Sequence, residues 1–135
     1  SLWPNVVLRG DMGPIRIGRD SNIQDGTICH DTTGESVTTV GARVTVGHRV
    51  ILHGCSIGDD CLVGMGSIVM DGVVLGPKTF VAAGTLIPPG KIIPEGSFVM
   101  GSPGRITRTV GPREIEQIAH AWTTYRDRLQ VWLAR

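Results

Sequence analysis

From Ile57 to Val99 a large apolar residue returns at every sixth position: Ile57, Val63, Val69, Leu75, Val81, Ile87, Ile93 and Val99. An amphipathic helix needs a period of about 3.6 and a half-buried strand a period of about 2, so a beat of six is neither alone. Four places after most of these residues comes a small or β-branched one, namely Cys61, Ser67, Val73, Thr79, Thr85 or Ser97. The same beat runs earlier through Ile17, Ile23 and Cys29, and again through Val40, Val46 and Leu52. Self-similarity at this period marks a parallel β-helix in which each hexad is one short strand plus a corner. Three hexads then close a triangular coil of about eighteen residues, and successive coils pair through backbone hydrogen bonds about 4.8 Å apart. The large residue points inward and the small one fills the corner. Nineteen glycines, against three Trp, one Tyr and two Phe, suit a chain that turns often and packs small side chains. The fold class is all-β.

Two breaks interrupt the beat. Cys29 to Val40 holds five residues more than one hexad, so Asp31 to Thr39 forms an excursion from one corner, with Asp31 itself read as a turn residue. Leu52 to Ile57 is one residue short. After Arg108 the period changes: Ile115, Ile118, Ala119, Trp122, Tyr125, Leu129, Trp132 and Leu133 fall at the spacings of an amphipathic helix from Pro112 to Leu133. Pro112 suits a first turn, and Glu114 and Glu116 suit its positive end. The expected organisation is a β-helix over residues 1–110, with further coils before Ser1, and a C-terminal helix over 111–135 packed on it.

A net charge of +1 gives no basic stripe for nucleic acid, and no apolar run is long enough to span a bilayer. The chain reads as soluble and cytoplasmic. Cys29, Cys55 and Cys61, without CxxC spacing, read as reduced packing residues.

Three of the four histidines fall within the hexads. His30 and His53 each follow an inward residue, Cys29 and Leu52, and Cys29, Val40, Val46 and Leu52 are three hexad steps, one complete coil. Both therefore point outward from the same face at adjacent-coil spacing, where two imidazoles can share a metal ion. His48 belongs to the preceding hexad, near a corner, and faces elsewhere. Three neutral imidazoles with one open position are a standard catalytic zinc shell; the alternative for each is a hydrogen-bonded structural histidine. His120 lies on the helix, away from the hexads, and reads as a surface residue.

The segments WPNVVLRGD, IRIGRDSNIQDG, VTVGHRVILHGCSIGDDCLVGMGSIVMDG and GSPGR, taken with the hexads, resemble the γ-class carbonic anhydrase family and its bacterial relatives over nearly the whole chain. The resemblance implies a left-handed β-helix, a hand the repeat itself does not give because parallel crossovers favour the right. It implies a homotrimer and one divalent metal per chain, zinc first with iron or cobalt as alternatives. His30, His48 and His53 match its metal ligands. Arg9 and Asp11 match the RGD segment near the site, Gln24 the residue that orients metal-bound solvent, and Asp25 the partner of the Arg. The implied activity is reversible hydration of CO2 to bicarbonate by a carbonate dehydratase, with no nucleic-acid or membrane partner. Met12 stands where an acidic proton shuttle is expected and Val99 near where relatives place a Tyr, so the implied site is slow or serves another substrate. A hexapeptide-repeat acyltransferase, a thioesterase-like relative and a catalytically silent scaffold are the alternatives. Because His48 cannot easily turn the corner to join His30 and His53, the site is expected to be shared between subunits, a neighbour's His48 completing it across each interface of a cyclic trimer.

Overall fold

The computed structural model describes residues 1–135. The hexads become short strands: β1 (Val7–Leu8), β2 (Arg16–Ile17), β3 (Asn22–Ile23), β4 (Ile28–His30), β5 (Thr39–Val40), β6 (Thr45–Val46), β7 (Ile51–His53) and β8 (Ser56–Ile57). The series continues with β9 (Leu62–Val63), β10 (Ile68–Val69), β11 (Val74–Leu75), β12 (Phe80–Val81), β13 (Leu86–Ile87) and β14 (Ile92–Ile93). It closes with β15 (Ser97–Gly101), β16 (Gly104–Thr109) and the helix α1 (Pro112–Leu133). Every third strand shares a wall, which gives three parallel sheets: β1-β4-β7-β10-β13, then β2-β5-β8-β11-β14, then β3-β6-β9-β12-β15 with β16 added. The architecture is a parallel β-solenoid of about five turns with a C-terminal helix.

The beat of six sets the core. Ile23, Leu52, Val63, Val69, Leu75, Val81, Ile87 and Val99 are buried inward, and Cys61, Ser67, Val73, Thr79 and Thr85 fill the corners with almost no exposure. Burial of a Val, Leu or Ile side chain contributes roughly 1.5–3 kcal/mol, so one stacked column is a large share of the fold's stability. The three cysteines are free and buried, and burial pushes their thiols up to about 12, which keeps them protonated and inert.

At Gly18, Gly41, Gly58 and Gly76 on one wall, and at Gly47 and Gly64 on the next, the residue after the inward one is glycine, because the next coil passes directly over it. A Cβ at Gly64 would stand 2.5 Å from the Ala83 amide nitrogen, and one at Gly76 2.5 Å from that of Glu95. At the corner before β3, β6, β9 and β12 the turn residue is not glycine although its φ is positive: Asp20, Arg43, Asp60 and Lys78, at 59°, 55°, 56° and 56°. These four stand one above the other with alternating charge. Arg43 donates to both oxygens of Asp60 at 2.7 Å, and these bonds hold the Asp60 carboxyl below its ordinary range and the Arg43 guanidinium above its own. Ion pairing thus offsets part of the left-handed strain.

Two elements were not legible in the repeat. Strand β16 folds back antiparallel on β15 and lies outside the beat of six. Asp31 is not a turn residue: it is 1% exposed, and neither carboxylate oxygen has a hydrogen-bond partner. The excursion turns after it, and β5 already begins at Thr39.

Helix α1 lies on β3 and β6, with Ile118 buried and Tyr125 edge-on to Trp3 at 5.1 Å. Its start is locked by Arg108, which donates two 3.0 Å bonds to Glu114, while the Gly111 amide donates to the same carboxylate at 2.8 Å. Arg108 first, then Gly111, hold the Glu114 carboxyl down to about 2. Its unfolded value is roughly 4.3, so the unfolded chain binds the extra proton between these two values. This contribution to stability is complete above about pH 5 and disappears as pH falls through the folded value. Thermal melts should therefore converge between the native chain and Glu114→Gln as pH drops from about 5 to 2, and differ in favour of the native chain above it. Parallel curves across that range would refute the lock.

Candidate active site

On the β1-β4-β7 wall the column after the inward residue carries large side chains. β4 and β7 each run one residue further than their neighbours, so His30 and His53 are themselves a ladder pair. The two breaks in the beat follow these strands directly. Below His30 in the same column lies Arg9, and above His53 lies Met70.

The two rings meet edge to face with centroids 5.1 Å apart, His30 Nδ1 facing His53 Nε2 at 3.2 Å. His53 Nδ1 is 2.8 Å from Asp71 Oδ2, and Ser36 Oγ donates to Asp71 Oδ1 at 2.7 Å. Desolvation opposes ionisation of Asp71, but donation from Ser36 and His53 holds its carboxyl below the ordinary range. An ionised carboxylate only accepts, so the His53 proton sits on Nδ1 and a lone pair remains on Nε2. His30 Nε2 faces Asp11 Oδ1 at 3.2 Å, and Arg9 donates to His30 Nδ1 at 3.1 Å and to Asp11 Oδ2 at 3.1 Å. His30 is thus protonated on Nε2 when neutral, and its Nδ1, which accepts from Arg9, faces the Nε2 lone pair of His53 across 3.2 Å. A metal ion bound between the two rings would have to displace the Arg9 donor. Two ligands of one tetrahedral zinc ion, each about 2.0–2.1 Å away, stand roughly 3.3–3.4 Å apart, which this pair matches.

The other candidates gather elsewhere. His48 and Asp25 stand one above the other at the opposite edge of the wall, Nδ1 to Oδ2 3.1 Å, both about half exposed. With Arg49, Met65 and Gly66 they line a shallow depression of about 560 Å³. Gln24, one residue before Asp25, turns onto the neighbouring wall under α1, buried, and donates to Asn22 Oδ1 at 3.1 Å. Within the chain, then, Arg9 pairs with Asp11 and not with Asp25 as the resemblance implied, because a wall's width separates the two. No group of three or more His, Cys, Asp and Glu side chains within one chain is arranged to hold a metal ion. The candidates form two half-sites, Arg9, Asp11, His30 and His53 on the wall and Asp25 and His48 at its far corner, with Gln24 apart from both. Asp71 and Ser36 were missed by sequence reasoning. Asp71 follows Met70, the residue one coil above His53, but its contact with His53 depends on how the side chains cross the corner, and Ser36 comes from the irregular excursion.

A stacked-hexad solenoid with outward histidines on one wall defines the class. The profile of bacterial transferase hexapeptide, six repeats, matches residues 54–89, and that of the hexapeptide repeat of succinyl-transferase matches 37–70. A hexapeptide transferase family protein from Anaplasma phagocytophilum is 40% identical over 92% of this chain and 72% of its own, with a TM-score of 0.87. A Bacillus cereus protein described as a candidate acetyltransferase is 37% identical over 97% and 76%, with a TM-score of 0.94. The chain belongs to the hexapeptide-repeat transferase family. Protein YrdA of Escherichia coli is 45% identical over 40 residues, a match that spans 30% of this chain and only 22% of that relative's length. These findings correct the function implied by the γ-class resemblance: the relatives that cover most of the chain are transferases, and hydration of CO2 by a lyase is replaced. No helix is long and apolar enough to cross a membrane.

Proposed function

We propose that the chain is an acyltransferase that moves an acetyl group from acetyl-coenzyme A to a hydroxyl or amine of a small acceptor, with His53 as general base. The observation that carries this reading is the 2.8 Å contact of His53 Nδ1 with an Asp71 carboxylate that is itself anchored by Ser36. This arrangement fixes the tautomer and leaves a basic Nε2 on a partly exposed ring. Family membership supports the reaction class. The acceptor's O–H or N–H gives its proton to Nε2 as its heteroatom bonds to the thioester carbonyl carbon. The tetrahedral intermediate then breaks its C–S bond, and the imidazolium returns the proton to the departing thiolate. Acetylated acceptor and free coenzyme A thiol leave. The test is acceptor-dependent release of that thiol from a panel of amines and sugars. His53→Ala should reduce it roughly 100-fold or more, and His120→Ala, exposed on the helix, should not. Undiminished release by His53→Ala would refute the assignment.

The facing His30 Nδ1 and His53 Nε2, 3.2 Å apart, favour a second reading of the same atoms, a divalent ion, zinc before iron or cobalt, completed by His48 of a neighbouring copy in a cyclic trimer. Here the narrower γ-class likeness enters only through its ligand set; when bound, such an ion would supply a Lewis acid. In this assembly Asp11 holds His30 through Nε2, and the neighbour's Asp25 holds its His48. The outward column Val7, Ile28, Ile51, Ile68 and Leu86 beside the histidines is apolar from end to end, with Val7 and Ile28 exposed. A second copy of the chain would cover this column. Ile51→Asp should convert trimers to monomers in light scattering; a trimer that persists would put the interface elsewhere. His48→Ala and His53→Ala chains, refolded together, should recover metal that neither binds alone. Mixed trimers without metal would sink the shared site, and metal-free native protein would leave His53 to act as a base.

A further inference from the structure

Two places before each inward residue the chain turns a corner, and the side chain there fills it. At the corner before β2, β5, β8, β11 and β14 these residues are Ile15, Thr38, Cys55, Val73 and Lys91, so Thr38 alone carries a hydroxyl. Val73, two coils above Thr38 and equally buried, fills the same place with the same branched shape. Packing at this corner therefore does not call for a hydroxyl. The one on Thr38 makes two bonds: it donates to the His30 carbonyl at 2.6 Å and accepts from the Gly54 amide at 2.9 Å. The same amide also donates to the His30 carbonyl at 2.9 Å, which closes a triangle across the ends of β4 and β7. His30 and His53 are the last rung of that ladder, because the chain leaves the wall for the excursion after one and turns at Gly54 after the other. A last rung frays unless something closes it.

We propose that Thr38 is a positioning residue: its hydroxyl sets the separation of the His30 and His53 rings by pinning the two strand ends from which they project, although it bonds to neither ring. The inference rests on the acetyl-transfer reading for its effect on rate, but not for its effect on the rings. The far half of the excursion thus holds the site by two routes, Ser36 through the Asp71 carboxylate and Thr38 through the main chain. Without the hydroxyl the His30 carbonyl keeps one donor of two, and the strand ends can part or turn. A displacement of about 1 Å between reacting groups is enough to cost up to roughly 100-fold in rate.

The experiment compares Thr38→Val, which copies Val73 and removes both bonds, with Thr38→Ser, which keeps the hydroxyl. In the full chain the ring protons of His30 and His53, whose centroids lie 5.1 Å apart, should give a nuclear Overhauser contact. Thr38→Val should weaken that contact and lower kcat for thiol release about tenfold or more, while KM for acetyl-coenzyme A changes less than about twofold. Thr38→Ser should retain both. Thr79→Val is the control: the same substitution at a fully buried hydroxyl, bonded to Gly76 in a coil without histidine, should lower the melting temperature and leave both readouts alone. If Thr38→Val folds poorly, Thr38→Cys, which copies Cys55 and offers only a weak donor, carries the same test. An unchanged ring contact, or an equal loss of contact in Thr79→Val, would overturn the proposal. A weakened contact with thiol release absent or undiminished would instead keep the hold on the rings and refute the transfer reading.

Discussion

Asp71→Asn is expected to lower acetyl transfer by roughly 10²–10⁴ while leaving the fold intact. The side chain keeps its size, and Ser36 can turn its hydroxyl to suit an amide. Two things are lost. If the amide nitrogen faces the ring, His53 Nδ1 must accept and its proton moves to Nε2, so the lone pair that takes the acceptor's proton is gone. If the amide oxygen faces the ring, the tautomer survives but no negative charge stabilises the imidazolium formed during transfer. Either way kcat should fall far more than KM for acetyl-coenzyme A changes. Thiol-release kinetics and thermal melts on the same preparation check it; full kcat in a folded Asp71→Asn protein would remove Asp71 from the mechanism.

Gly54→Ala should damage both the fold and the site with a single methyl group. Gly54 has φ of 61°, and an added Cβ would stand 2.5 Å from Asp71 Oδ1 and closer still to Ser36 Oγ. The Ser36–Asp71 bond that steadies His53 passes over this glycine. Left-handed strain costs about 1–2 kcal/mol, and the collision adds enough to bring the expected loss of stability to about 2–4 kcal/mol. Activity should fall with it, because relief requires Ser36 or Asp71 to move. Gly34→Ala is the matched control: φ is 70° but nothing lies within 4 Å of the added carbon, so strain alone remains. Chemical denaturation of both variants separates the two contributions. Equal losses would mean that the Ser36–Asp71 contact does not depend on Gly54.

The inward column from Ile57 to Val99 and the helix from Pro112 to Leu133 were legible because each rests on a periodicity that survives any choice of loop. The pairing of His30 with His53 was legible for the same reason, since counting hexads counts coils. Asp71, Ser36 and the burial of Asp31 were not, because they depend on how side chains cross a corner and on where an irregular excursion folds back. Strand β16 escaped for a related reason: it pairs antiparallel with β15 and leaves the beat altogether. The chemistry was the least legible part. The same stacked imidazoles suit a metal or a base, and the γ-class resemblance led to CO2, whereas relatives matched over most of the chain are transferases.

The corner column Asp20, Arg43, Asp60 and Lys78 limits how a chain of this kind can change length. Cutting out the coil that carries Arg43 would set Asp20 directly beneath Asp60, and cutting out the one that carries Asp60 would set Arg43 beneath Lys78. Like charges at adjacent rungs repel where opposite charges now attract, at positions already strained by a positive φ. Two coils removed together restore the alternation. At this corner, gain or loss of length comes in steps of two turns, so a deletion that respects the hexad can still fail by being odd.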